Sequence, residues 1–183
     1  FSCLTGIRPE KFIICNGCGR NGKGVINELL ASVLGGTQHY YNKGNTCTLT
    51  KPLTSGANAE IAGMHKKRAN ISTEPEKGTD GLNVAAVKKL TGDDEVNARK
   101  LYSNNTICIL WATQILEANK IPTINGHIGM AEIARFVVVM FNSIFIKGIK
   151  EPEINDNNIG NKYTMDEELK QDNFKKTYRY ALF

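Results

Sequence analysis

The sequence predicts an α/β protein in which helices flank a mostly parallel central sheet. An apolar segment, a glycine-rich turn and an amphipathic helix follow one another within residues 11–34, and further apolar and helical segments alternate after them. The apolar run at 12–15 is typical of a strand buried on both faces of a parallel sheet. With 183 residues, 41% of them hydrophobic and 22% charged, the chain has the size and composition of one globular domain.

The glycine-rich turn has the spacing of a phosphate-binding loop. Gly17, Gly22 and Lys23 match the pattern G-x-x-x-x-G-K. Glycines let successive N–H groups point into one anion-sized concavity, and the following helix directs its positive end there. The alternative is a turn that binds nothing. The predicted phosphate site comprises eight consecutive residues: Gly17, Cys18, Gly19, Arg20, Asn21, Gly22, Lys23 and Gly24.

Gly24 departs from the usual phosphate-loop pattern, because Ser or Thr normally offers a hydroxyl to Mg²⁺ at this position. Cys15 and Cys18 also spell C-x-x-C, which occurs in redox and zinc sites. No second cysteine pair or neighbouring histidine completes a zinc site in the sequence, so packing and loop roles are favoured. The cysteines form no disulfide framework, and no apolar run approaches the ~20 residues of a membrane span. We therefore expect an intracellular protein without a membrane segment.

The remaining elements follow from hydrophobic periodicity and turn residues. We expect residues 1–148 to form the core, and 149–183 to contain a surface loop and the start of a truncated C-terminal helical region. The predicted elements are a short strand at 47–50, a helix at 57–64, a strand at 69–74, a helix at 82–90, strands at 106–111 and 114–118, a helical turn at 130–134, a strand at 136–141 and a helix at 165–183.

Two polar residues follow predicted strands and are candidates for catalysis. Glu74 ends the strand at 69–74, and an acid there, beside a phosphate loop, can hold Mg²⁺ or polarise the attacking water. Asn119 follows the strand at 114–118 and can lie against the γ-phosphate and water. The alternatives are a solvated charge at a strand end and an ordinary turn asparagine.

Taken in order, the segments resemble the superfamily 3 helicase domain, most closely the poxvirus-type primase–helicase of nucleocytoplasmic large DNA viruses. The stretches that carry this resemblance are GCGRNGKG (17–24), KKRANISTEPEKG (66–78), LNVAAVKKLTGDDEVNARKLY (82–102), ILEANKIPTINGH (115–127) and AEIARFVVVMFNSIF (131–145). The resemblance implies an AAA+-like phosphate-loop ATPase core that uses ATP and Mg²⁺. It departs from the family where Asp93 replaces a second glycine and where Gly24 replaces the Mg²⁺ hydroxyl.

The family also implies a role for each matching residue. Glu74 would be the acid that holds the metal, with Glu76 as a weaker candidate, and Asn119 would be the polar sensor. Arg135 would be an arginine finger that reaches the nucleotide of a neighbouring subunit, although a lone Arg before a strand is more often a surface ion-pair partner. The residues that would contact single-stranded or forked DNA are Lys88, Lys89, Arg99 and Lys100.

From these features we expect the core of an ATP-dependent DNA helicase that acts in viral DNA replication, at cytoplasmic or nuclear sites of the host. The resemblance implies a homo-oligomeric ring, most simply a hexamer, and an upstream primase region. Lys88 and Lys89 have the alternative of being the solvated face of a helix. Two other functions stay open: a phosphate-loop nucleotide kinase, for which the sequence shows no acceptor-binding lid, and a nucleotide-binding ring module without turnover.

Overall fold

The computed structural model describes residues 2–7, 9–53, 56–73, 81–92, 96–99, 106–155, 157 and 159–178. The helices in these ranges are α1 Ser2–Thr5, α2 Lys23–Val33, α3 Cys47–Thr50, α4 Ala59–Gly63, α5 Val84–Thr91, α6 Met130–Ile133 and α7 Asp172–Tyr178, with a 3₁₀ helix at Glu168–Lys170. The strands are β1 Phe12–Asn16, β2 Tyr41–Gly44, β3 Gly56–Ala57, β4 Ala69–Thr73, β5 Leu82–Asn83, β6 Val96–Arg99, β7 Thr106–Cys108, β8 Thr113–Ala118, β9 Ile124–Asn125, β10 Phe136–Met140, β11 Ile144–Ile146 and β12 Lys162–Thr164.

Five strands form the central sheet, in the order β10-β1-β8-β4-β2, and every neighbouring pair is parallel. Parallel strands need crossover connections, which the intervening helices supply. Both the sheet and its flanking helices confirm the predicted α/β fold class. Because all five strands run the same way, their carboxyl ends share one edge of the sheet, and the loop that follows β1 lies there.

Apolar side chains from the sheet and from the helices and short strands around it form one core. The ring of Phe12 on β1 packs edge to face on that of Phe136 on β10, with the ring centroids 5.8 Å apart. This contact adds side-chain packing to the pairing of the two strands. The fully buried members of the core with large side chains are Phe12, Ile14, Leu49, Ile61, Met64, Leu82, Val87, Leu90, Val96 and Leu116. Burial of this many large side chains is the main contribution to the stability of the fold.

A ladder of amide side chains crosses the sheet from β2 to β8. Asn42 donates from Nδ2 to Oδ1 of Asn70 at 2.7 Å, and Asn70 donates from Nδ2 to Oε1 of Gln114 at 2.7 Å. Gln114 in turn donates to the carbonyl oxygen of Ala112 at 3.1 Å. Asn70 and Gln114 are fully buried, so these bonds satisfy polar groups that would otherwise be costly to bury.

The segment after β10 folds back against the helix that follows the phosphate loop. The parallel pair β11–β12 precedes α7, and Lys175 of α7 pairs with Glu28 of α2 at 2.7 Å. The predicted helix at 165–183 is therefore divided into a 3₁₀ turn and α7, while 179–183 lie outside the described residues. The domain boundary at 148/149 stays a prediction. In the described part of the chain, none of the helices has the length and apolarity needed to cross a membrane.

One predicted element was wrong. Residues 47–50 form helix α3 rather than a strand, because Asn45 organises the turn before it: its Oδ1 accepts from the Cys47 amide at 3.0 Å and its carbonyl from the Thr48 amide at 3.2 Å. An asparagine that bonds to the backbone two residues on initiates a turn, and this overrides the strand preference of the threonines. The outer strand β2, Tyr41–Gly44, was not predicted, since its sequence YNKG has no apolar alternation.

Candidate nucleotide-binding site

The loop between β1 and α2 needs glycine at its first position. Gly17 has φ +156°, and a Cβ there would lie 2.5 Å from the carbonyl oxygen of Phe141 and would also collide with Nδ2 of Asn21. Gly22, just before α2, has φ +85°, in the left-handed region that glycine adopts without steric cost. The two glycines of the sequence pattern therefore hold two backbone conformations that other residues rarely adopt.

Hydrogen bonds from three strands hold this loop in place. The Gly17 amide donates to the carbonyl of Ala118 at the end of β8 (3.2 Å), and Asn21 Nδ2 donates to the carbonyl of Phe141 just after β10 (3.4 Å). The Phe145 amide of β11 donates to the carbonyl of Arg20 (2.7 Å). Since these bonds hold Gly17, Arg20 and Asn21, the backbone of the turn is braced along its length.

Lys23 is the first residue of α2, and its side chain folds back into the loop. Its residue surface is only 8% exposed, and Nζ donates to the carbonyl oxygen of Gly17. Its backbone amide donates to Oδ1 of Asn21 at 3.4 Å. The ammonium therefore lies within the turn that the sequence assigns to phosphate, at the positive end of an 11-residue helix.

A cavity of about 750 Å³ opens beside this loop, within the range of about 300–1,000 Å³ typical of small-molecule sites. Lys23, Gly24 and Asn119 all line it, so the structure brings the predicted sensor residue to the predicted phosphate loop. The other walls come from the loop itself, from α2, from the ends of β8 and β10, from β11 and from the C-terminal segment. They are Gly19, Arg20, Asn21, Gly22, Val25, Ile26, Glu28, Glu117, Met140, Phe141, Asn142, Ser143, Phe145, Met165, Asp166, Leu169 and Lys170.

Sequence reasoning missed Glu117, which lies on β8 between Cys15 of β1 and Thr73 of β4 and lines the cavity. Asn27 of α2 donates from Nδ2 to its Oε1. Burial, followed by the negative charge of Glu117, raises the pKa of the Cys15 thiol, and the nearby Lys23 charge opposes this shift. Burial and Glu117 also raise the pKa of Tyr41. The available signal was an acid inside a buried apolar strand, directly before Ala118 and Asn119.

The residues around the cavity fit a nucleotide with Mg²⁺. No described atom lies within 4 Å of a Cβ built on Gly19 or Gly24, so the cavity side of the loop has space for a ligand. Mg²⁺ prefers oxygen ligands and is commonly held by one or two carboxylates together with substrate phosphates. Glu117 supplies such an oxygen, whereas the described residues contain no cluster of three acidic, histidine or cysteine side chains that would bind a metal alone.

Arg135 lies at the opposite end of the sheet from its own cavity. It precedes β10, whose first residue pairs with the first residue of β1, so a five-residue strand of about 16 Å separates it from the loop. Its guanidinium donates to the Thr91 hydroxyl at 3.2 Å and pairs with Glu10 at 3.2 Å. Arg135 does not line the cavity of its own chain, and the finger assignment to a neighbouring subunit stays a prediction.

The predicted DNA contacts stay predictions as well. Lys88 lies on the exposed side of α5 and pairs with Glu132 at 3.3 Å. The pKa of Glu132 is lowered first by a hydrogen bond from its own backbone amide and next by the hydrogen bond from Lys88. Lys89 follows it on the same helix. Arg99 ends strand β6. Several predicted residues lie outside the described ranges: Glu74, Glu76, Asp93 and Lys100.

Two viral proteins are similar to this chain in sequence. Putative helicase L207/L206 of Acanthamoeba polyphaga mimivirus is 33% identical over 149 residues, which cover 80% of this chain and 15% of that protein. Putative helicase 022R of frog virus 3 (isolate Goorha) is 32% identical over 102 residues, covering 54% of this chain and 10% of that protein. The chain thus spans about a tenth to a seventh of the length of these curated relatives. No protein-family model matches it.

Solved structures show the same fold. The A-form apo structure of the NrS-1 C-terminal region superimposes with a TM-score of 0.55 at 16% identity, over 74% of this chain and 29% of that one. A second apo structure of the same region, residues 305–718, gives a TM-score of 0.53 at 15% identity, over 73% of this chain and 30% of that one. Viral helicase relatives and a shared fold thus accompany the glycine-rich loop, the cavity beside it and the parallel sheet. The resemblance drawn from the motifs is confirmed, and the chain belongs with the viral superfamily 3-type helicase domains.

Proposed function

We propose that this chain is the ATPase core of a DNA helicase, in which ATP hydrolysis drives DNA unwinding during viral DNA replication as part of a primase–helicase. One observation carries the proposal: a single cavity joins the phosphate loop, the buried Lys23 and Asn119. The relatives' names support a helicase, and their viral origin supports action in infected cells, at cytoplasmic or nuclear replication sites.

Phosphoryl transfer to water requires positioning and charge neutralisation more than covalent chemistry. The loop amides and Lys23 would neutralise the β- and γ-phosphates, and release of Nζ from the Gly17 carbonyl would let Lys23 reach them. Asn119, with Glu74, would orient the attacking water. Mg²⁺, when bound with ATP, supplies further charge neutralisation, and Glu74 would hold it in place of the hydroxyl that Gly24 lacks.

The distance of Arg135 from its own cavity supports composite sites between subunits. A finger that serves the neighbouring subunit requires a head-to-tail interface, and such interfaces close into rings. We propose a homo-oligomeric ring, most simply a hexamer. Lys88, Lys89, Arg99 and Lys100 would contact the phosphates of single-stranded or forked DNA, so that binding weakens as salt increases.

The test is steady-state ATP hydrolysis by the protein, with and without single-stranded DNA. We expect DNA to stimulate turnover, stimulation to fall steeply with salt, and Lys23→Ala to abolish turnover. Lys162→Ala is the matched control, because Lys162 pairs with the exposed Glu153 at 2.7 Å and neither residue lines the cavity. Transfer of phosphate to a nucleoside, indifferent to DNA, would identify a kinase instead. Tight nucleotide binding without turnover in the unmodified protein would identify a nucleotide-binding ring module.

A further inference from the structure

Glu117 places a carboxylate in the wall of the cavity that the phosphate loop also lines. Its strand position is fixed by parallel pairing to Cys15 on one side and Thr73 on the other. Asn27, which lies one turn after Lys23 on α2, donates a hydrogen bond to the carboxylate and fixes its orientation. The acid is thus held by two elements, β8 and α2, and both border the site.

The negative charge of Glu117 reaches the thiol of Cys15, on the strand that leads into the loop. The raised pKa of Cys15 has burial as its first cause and Glu117 as its second, and Lys23 acts in the opposite direction on the same thiol. Tyr41, on the outer strand of the sheet, responds to Glu117 in the same way. Glu117 and Lys23 therefore shift the pKa of the same Cys15 thiol in opposite directions.

A carboxylate beside a polyphosphate repels it, because like charges in a partly desolvated site disfavour each other. Lys23 offsets part of this repulsion, and a divalent cation that accompanies the nucleotide can offset the rest. Gly24 offers no hydroxyl to that cation, so the loop itself contributes less than the usual phosphate loop. The balance between repulsion and compensation then depends on whether the cation is present.

We propose that Glu117 is an acidic residue of the nucleotide site that makes nucleotide binding depend on a divalent cation. It does so by disfavouring the cation-free nucleotide and by offering oxygen to the cation that Gly24 leaves without a hydroxyl. Asn27 is the positioning residue for this carboxylate. This inference rests on the proposed nucleotide site and assigns to it a selectivity for the metal-bound form of the substrate.

The test measures the affinity of the protein for fluorescently labelled ADP in Mg²⁺ and in EDTA, which needs no turnover. For the unmodified protein we expect tighter binding in Mg²⁺. In Glu117→Gln, the Kd in EDTA should fall about tenfold, as expected for one unit charge removed from a partly screened site a few ångströms away. The ratio of the Kd in EDTA to the Kd in Mg²⁺ should therefore be smaller in this variant. Glu117→Asp, which keeps the charge, should have the ratio of the unmodified protein.

Glu153→Gln is the matched control, since Glu153 is an exposed acid that is paired with Lys162 at 2.7 Å and does not line the cavity. We expect the ratio of its Kd values in EDTA and in Mg²⁺ to stay within about twofold of the ratio for the unmodified protein, because an exposed ion pair is largely screened. A Glu117→Gln protein with an unchanged ratio, or with equal losses in both conditions, would overturn the inference and leave the nucleotide site intact. Failure of the unmodified protein to bind ADP under either condition would overturn the proposed function as well.

Discussion

The amide of Phe145 donates a 2.7 Å hydrogen bond to the carbonyl oxygen of Arg20, in the middle of the phosphate loop. Arg20 has φ +63°, a left-handed conformation that non-glycine residues seldom adopt, so this bond holds a strained turn. The Phe145 ring also lies 3.4 Å from the position that a Cβ on Gly22 would occupy. Strand β11 therefore supports the loop from outside the central sheet.

We expect Phe145→Ala to weaken nucleotide binding severalfold, because the loop loses the ring that packs on Gly22. The free energy of unfolding should fall by about 1–2 kcal/mol, less than for a fully buried Phe, since this side chain is half-buried. Labelled-ADP titration and denaturant unfolding measure the two effects. Phe145→Leu, which keeps an apolar side chain, is the control and should retain most of the affinity; an alanine variant with unchanged Kd would exclude this support.

The two ends of the phosphate loop should respond differently to added side chains. Gly17→Ala places a Cβ 2.5 Å from the Phe141 carbonyl, so we expect loss of nucleotide binding and a stability loss of about 1–3 kcal/mol. Gly24→Ser meets no described atom within 4 Å and should fold normally. Because the serine would add the hydroxyl that phosphate loops usually offer, its ADP affinity in Mg²⁺ should equal or exceed that of the unmodified protein. Equal tolerance of the two changes would contradict this loop geometry.

Arg135 gives a test of composite sites. If it serves a neighbouring subunit, Arg135→Ala and Lys23→Ala should each lose DNA-stimulated hydrolysis, and a mixture of the two should recover part of it. Recovery is expected because some interfaces then pair an intact Lys23 with an intact Arg135. The measurement is the hydrolysis rate at several mixing ratios.

Glu10→Gln is the control for the Arg135 experiment. It removes the 3.2 Å ion pair of Arg135 but keeps the guanidinium, and a pair that is half-exposed on its acidic side contributes about 0–1 kcal/mol. Its hydrolysis should therefore stay near normal. Normal hydrolysis by Arg135→Ala would show that the residue is only a structural ion-pair partner and would remove the main support for a ring.

Truncation of Asn70 in the amide ladder and of Ser72 beside it should change the free energy of unfolding by different amounts. Asn70→Ala leaves the buried Oε1 of Gln114 without its donor, so we expect a loss of about 1–3 kcal/mol. Ser72, on the same strand, is also fully buried, but its Oγ has no hydrogen-bond partner among the described residues. Ser72→Ala should therefore be neutral or slightly stabilising. Denaturant unfolding of both variants checks this, and equal losses would contradict it.

The reactivity of Cys15 reports on the charge of Glu117. Only the thiolate reacts with iodoacetamide, and a raised pKa means that Cys15 stays protonated to higher pH than an ordinary thiol. Its alkylation should therefore begin at higher pH than that of a cysteine in a short unstructured peptide, which serves as the control. Glu117→Gln should shift the onset downward only in part, because burial is the larger cause. Peptide mass spectrometry across a pH series measures both thiols, and an unshifted onset would place Glu117 too far away to act.

Much of the fold could be predicted from the sequence, since the strands β1, β4, β8 and β10 are apolar or end in recognisable turns. The tight turn after β1 was also predictable, because glycines with positive φ leave a clear pattern at fixed spacing. Strand β2 was not, since YNKG owes its place to pairing with β4 and not to its own hydrophobicity. Helix α3 depends on the side chain of Asn45, a local bond that outweighs strand preference.

The position of Asn119 beside the cavity could be predicted because it directly follows a strand, and functional residues collect at the ends of strands in parallel sheets. For Glu117 the sequence offered only the signal of an acid inside a buried strand. Its place beside the loop could not be predicted, since only the pairing of β8 with its neighbouring strands shows it. Phe145 was hidden for the same reason: its contact with Arg20 joins residues 125 positions apart, and no periodicity reveals such a contact.

Strand β10 lies at the end of the central sheet, paired on one side with β1. Three of its apolar residues are each more than 40% exposed: Val138, Val139 and Met140. In the described part of the chain no further strand pairs with its outer side, so this edge is apolar and has unpaired backbone groups. An apolar edge of this kind is a template for the addition of another strand, by the same pairing that seeds aggregation. A protein that carries this domain must therefore cover or charge that edge, or it will tend to precipitate when the chain is handled at high concentration.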